Sequence, residues 1–105
     1  MTHTSTSHLR ILIHVENDIW IAHCLDYDIA SQGKGIDSAL DSLENVMIGQ
    51  MILDKENGHE PLARPGPAPQ RYWDLYDKGT KLNKAVTFRL PDSPASIVDD
   101  VRLAA

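Results

Sequence analysis

The chain has 105 residues, 42% of them hydrophobic and 24% charged, with a formal net charge of −5. That composition fits one soluble globular domain with a single core, and its acidity argues against a broad polyanion-binding surface while suiting a basic protein partner. Cys24 is the only cysteine, which excludes an internal disulfide and a multi-cysteine metal framework.

No apolar run approaches the roughly 18 residues that a membrane-crossing helix needs. Residues 1–8, MTHTSTSH, lack the basic-then-apolar pattern of a secretory leader, so the cytoplasm is the expected compartment. These eight residues are polar and are expected to be disordered, with a folded domain over 9–90 and a tail over 91–105.

From Leu9 the hydrophobic period is two. Leu9, Ile11, Ile13 and Val15 fall on one side and Arg10, His14 and Glu16 on the other, the alternation of a half-buried strand. Leu12 departs from it, as it would if the second face were partly covered. Asn17-Asp18 suits a two-residue hairpin turn. Ile19 to Leu25 is apolar on both faces and reads as an inner strand. Asp26-Tyr27-Asp28 turns the chain into a third short strand, Ile29 to Gln32, and Gly33-Lys34-Gly35 supplies a flexible corner.

A long amphipathic helix follows, Ile36 to Glu56. Ile36, Leu40, Leu43, Met47 and Met51 recur at steps of three and four, and Asn57-Gly58 is a natural stop. Asp37, Asp41 and Glu44 follow the same spacing on another face. The stretch 59–70, HEPLARPGPAPQ, holds four prolines and reads as a connector. Arg71 to Lys78 forms a short helix presenting Tyr72, Trp73, Leu75 and Tyr76. These aromatics are expected to pack onto the domain, with an oligomer or partner contact as the alternative. Lys84 to Leu90 alternates as a fourth strand. Beyond Pro91, Ile97, Val98, Val101 and Leu103 give the tail a helical tendency. The expected class is α+β, with order β-β-β-α-(short α)-β and an antiparallel sheet covered on one face by the long helix.

Catalytic constellations were sought. Asp26 and Asp28, with Glu16, form the one candidate carboxylate group for a metal-dependent hydrolase, but acids in turns commonly just solvate and bond locally. His14 and His23 are brought near each other by the hairpin, whereas Cys24 points to the opposite face from His23 and reads as a buried thiol. Ser31, Ser38 and Ser42 lack a nucleophile-elbow context, and Gly33-Lys34-Gly35 is too short for a phosphate loop. No catalytic residue, metal site or cofactor is assigned, and the chain is not expected to be an enzyme.

The run Trp20-Ile21-Ala22-His23-Cys24, the Leu25-Asp26 after it, Ser31-Gln32-Gly33, and Ala39-Leu40 with Leu43 inside the helix resemble the HicB family of antitoxins. The likeness covers about Leu9 to Leu53. It implies a small domain similar to a partial ribonuclease H fold, here a short form without a complete DNA-binding module. It also implies a partner: a small, basic, messenger-RNA-cleaving HicA-like toxin, neutralised by occlusion. A second cysteine that the family often carries is missing, since the loop reads Leu25-Asp26-Tyr27-Asp28-Ile29-Ala30. The first strand has no acid inside Leu9 to Val15, so nuclease activity is not implied. Asp37, Asp41 and Glu44 are the candidate toxin contacts, since an exposed acidic row steers a basic surface. Tyr72, Trp73 and Tyr76 are the candidates for an oligomer or partner contact. A stand-alone HicB-like oligomerising or ligand-binding domain without a toxin is the competing expectation. The segment Ala85 to Asp92 looks a little like the ribbon strand of a DNA-binding module, but it is expected to belong to the domain sheet.

Overall fold

The computed structural model describes residues 7–63, 66–91 and 96–104, with only the backbone of Ser7. The expectation of disorder for residues 1–6 therefore lies outside the described residues, as does residue 94, the proline expected to interrupt a C-terminal helix.

Strand β1 (Ser7–Glu16) and strand β2 (Ile19–Cys24) form the expected hairpin. Asn17 and Asp18 both adopt positive φ, 51° and 65°, the backbone of a tight turn whose twist matches its strands. Strand β3 (Ile29–Gly33) pairs antiparallel with β2. Helix α1 (Ile36–Glu56) then runs back over the sheet and ends at Gly58, whose φ of +71° suits a glycine. Helix α2 (Gln70–Lys78) leads to two short strands, β4 (Thr80–Lys81) and β5 (Val86–Phe88), and to a long last strand, β6 (Ser96–Leu103).

The sheet order is β3-β2-β1-β6-β4, with β5 also paired to β6. The architecture is α+β, as expected, but three details differ. The C-terminal region 91–105 is no helical tail: its residues 96–103 form β6, an inner strand. The sheet is mixed rather than antiparallel, because β6 lies parallel to β1. Finally, Ser7 and His8 belong to β1 rather than to a disordered end.

Helix α1 covers one face. Leu9, Ile11 and Ile13 of β1, Ala22 and Cys24 of β2, and Val98 and Val101 of β6 pack there against Ala39, Leu40, Leu43, Met47 and Met51. Leu62 closes this core from the connector at a positive φ of 59°, its backbone N–H bonded to Asp54 Oδ2 at 2.9 Å. The opposite face is covered too, so one long helix over one face is an incomplete description. Leu12 and Leu25 meet Ala68 and Tyr76 beneath α2, with Tyr72 and Trp73 packed around them. The Ala68 N–H bonds to the Leu25 carbonyl at 2.8 Å and moors the proline-rich connector to the end of β2.

The corner before α1 works differently from a simple hinge. A Cβ on Gly33 would collide with the Ser38 hydroxyl and the Ala39 backbone nitrogen, so Gly33 permits close approach of α1 to β3. Gly35, the residue before α1, is extended and has open space around it.

Candidate functional site

Helix α1 has two unlike flanks beside its buried stripe. The acidic flank carries Asp37, Asp41 and Glu44 and faces residues 84–89. Lys84 pairs with Asp37, and the Arg89 backbone N–H donates to Glu44 Oε2 at 2.7 Å. Asp41 stands exposed between them. The three residues do share one flank, but two of them are engaged with the chain's own segment. The ionic component of these contacts is worth little in water, since exposed ion pairs contribute only ~0–1 kcal/mol. A basic partner therefore meets an acidic row held in place by contacts that are easily exchanged.

The other flank carries Ser38, Ser42, Val46, Gly49 and Leu53, again at steps of four and three, with no charge. Ser42 Oγ lies 2.5 Å from Ser31 Oγ of β3, which places this flank over the outer strand of the sheet. Val46 and Leu53 on it are 43% and 53% exposed.

The acids of the β2–β3 turn are bound to basic neighbours. Asp26 accepts the Arg10 backbone N–H at 2.8 Å and takes its guanidinium from Nε at 3.1 Å and Nη2 at 2.5 Å. Asp28 lies 2.7 Å from Nε2 of the buried His23, whose ring meets the edge of Tyr72 at a centroid distance of 4.8 Å. Glu16 is six residues along β1 from Arg10, roughly 20 Å at the rise of a strand, and neighbours His14 instead. The structure thus does not bring Asp26, Asp28 and Glu16 together. Among the described residues no group of three or more His, Cys, Asp or Glu is placed to hold a metal ion. Burial, aided by the Asp26 charge, pushes the Cys24 thiol up to about 12, so at neutral pH it is a protonated core side chain.

The aromatic residues of α2 face the sheet. Tyr76 is buried and its hydroxyl donates to the Asp100 carbonyl at 2.7 Å, while burial raises its pKa. Trp73 Nε1 donates to the Ala68 carbonyl at 3.0 Å. Three guanidinium groups lie over these rings: Arg10 on Trp73 at 5.0 Å, Arg71 on Tyr72 at 4.6 Å and Arg102 on Tyr76 at 4.4 Å. Such stacking is worth about 0.5–1 kcal/mol at exposed sites and more when desolvated. Tyr76 is thus occupied inside the fold, and Tyr72 and Trp73 keep only part of their surface for a partner.

Sequence reasoning passed over one feature: the outer side of β3. Its residues Ile29 to Gly33 carry no charge and no proline, and that pattern was the available signal. No helix among the described residues is long and apolar enough to cross a membrane. Compared with models of protein families, with curated proteins and with solved structures, the chain matches none.

Proposed function

We propose that this chain is an antitoxin-type protein-binding module, which neutralises a HicA-like messenger-RNA-cleaving toxin by covering the toxin's RNA surface. The carrying observation is the acidic flank of α1: Asp37, Asp41 and Glu44 sit on one side of a rigid 21-residue helix, with Asp41 exposed at its centre. A basic toxin exchanges its own cations for Lys84 and the Arg89 backbone, so charge complementarity directs encounter and register. The resemblance around Trp20 to Cys24 supplies the class of partner, and the partial ribonuclease H-like fold belongs to the same reading. No bond is made or broken by the chain itself. The cytoplasm, where messenger RNA is cleaved in translation, is the matching compartment.

The test is a titration of RNA cleavage by a purified HicA-like toxin. Cleavage should fall to zero near equimolar chain, and the triple variant Asp37→Lys, Asp41→Lys and Glu44→Lys should lose at least tenfold in potency. Full neutralisation by that variant would remove the acidic flank from the mechanism, and no neutralisation by the unaltered chain would remove the toxin.

A second reading, a stand-alone HicB-like oligomerising domain, draws on the outer side of β3, which no other strand pairs among the described residues.

A further inference from the structure

The two edges of the sheet are closed in different ways. On one side the outer edge of β6 is shared between β4 and β5, two short strands next to Lys81 and Lys84. Short strands and lysines are common protection against unwanted pairing. On the other side β3 is the last strand, five residues long, and Ile29-Ala30-Ser31-Gln32-Gly33 has none of that protection.

The direction of its backbone groups follows from the hairpin. The Leu25 N–H bonds to the Arg10 carbonyl at 2.9 Å, so residues 19, 21, 23 and 25 turn their backbone groups toward β1. Trp20, Ala22 and Cys24 therefore bond to β3, and their partners Gly33, Ser31 and Ile29 point inward. Ala30 and Gln32 are left with both N–H and C=O directed away from the sheet, and both residues are exposed. Two such residues, two apart, form a self-complementary set. A twofold axis at Ser31 sets Ala30 of one copy opposite Gln32 of the other, which makes four backbone hydrogen bonds.

We propose that this edge is a homodimer interface: two copies join β3 to β3 antiparallel, with Ala30 facing Gln32 across the twofold, into one continuous sheet. The inference rests on the oligomerising reading only in calling for a second copy, and it does not depend on a toxin. Charge agrees with it, because neither β3 nor the adjoining flank of α1 carries a charge that the twofold would set against itself. Area agrees as well. A strand pair alone falls short of the roughly 1,200 Å² that stable interfaces bury. The same twofold brings the Ser38, Ser42 and Val46 strip of α1 toward its counterpart in a second layer. On the opposite face, a shallow depression of about 360 Å³ lined by Ile21, Ala30, Ser31 and Gln32 lies at this edge. The Gln32 side chain of the second copy, facing Ala30, reaches over it.

Sedimentation across a micromolar concentration series of the whole chain tests the interface and its register. The unaltered chain should be a dimer. Ala30→Lys should raise the dissociation constant about tenfold or more, as a lysine enters an uncharged edge. Adding Gln32→Glu to Ala30→Lys should restore the dimer, because position 30 of one copy faces position 32 of the other. Both positions are exposed, and an unchanged thermal transition confirms folding of each variant. A monomer at every concentration, a dimer indifferent to Ala30→Lys, or a double variant no tighter than the single one would each overturn the proposal. The acidic triple variant should leave the mass unchanged, so a failed toxin reading and a failed interface are distinguished.

Discussion

The two faces of the sheet are built from different chemistry. Beneath α1 the contacts are aliphatic and continuous: Leu9, Ile11, Ile13, Leu40, Leu43, Met47, Val98 and Val101 are all at most 2% exposed. Beneath α2 a much smaller apolar centre, Leu12, Leu25, Ala68 and Tyr76, is ringed by guanidinium groups stacked on aromatic rings. Burial of apolar area stabilises by about 25 cal/mol per Å² and is indifferent to direction, whereas stacked and hydrogen-bonded groups are weaker singly but specify orientation. The first face therefore carries most of the stability, and the second fixes where α2 and the connector lie. The acidic flank and the free edge of β3 are both presented by the first, stiffer half.

This contrast is sharpest under truncation. Leu43→Ala, in the middle of the α1 stripe, should cost about 2–5 kcal/mol in denaturant unfolding, the range for a buried leucine. Gly33→Ala should follow at about 1–3 kcal/mol, because its methyl meets the first turn of α1. Tyr76→Phe, on the α2 face, should cost only about 0.5–1.5 kcal/mol for the hydrogen bond to the Asp100 carbonyl. A Tyr76→Phe loss as large as that of Leu43→Ala would erase the distinction between the faces.

Smaller effects come from titration. The Arg102 hydrogen bond holds the Asp100 carboxyl below its ordinary value of 3.8. A group whose folded pKa is depressed contributes stability above the unfolded value and loses it as pH falls through the folded one. The unaltered protein should therefore lose stability more steeply below pH 3.8 than Asp100→Asn does. On the other face the Cys24 thiol is raised from 9.0 to about 12, chiefly by burial. Its protonated form is favoured in the fold, so this contribution is complete below pH 9 and is lost between 9 and about 12. At neutral pH, thiol reagents should label Cys24 no faster than the protein unfolds.

The α1 half of the molecule was legible in the chain because its signals are local. Ile36 to Met51 repeat at the helical period, and Asn17-Asp18 carries its own turn preference. β6 was not, for a specific reason. The register of β1 against β6 shifts between His8 and Arg10, where one residue of β1 opposes two of β6. That bulge lets Val98 and Val101, three apart, face the same core, so a strand presents the spacing of a helix. The parallel pairing of β1 with β6 joins residues about ninety positions apart and leaves no mark in a sequence window. At the acidic flank the row itself was readable, but its engagement by Lys84 and Arg89 depends on where β5 docks. The aromatic triplet was expected to pack inward and does, yet the guanidinium partners Arg10 and Arg102 come from other elements.

The central claim is that the chain acts by binding a basic toxin through the acidic flank of α1. Backbone amide resonances of the isotope-labelled chain, followed during titration with a HicA-like toxin, test it most directly. The account predicts that shifts concentrate at Asp37, Asp41 and Glu44 and at residues 84–89, which exchange their contacts on binding. Unshifted resonances there at saturating toxin would contradict it.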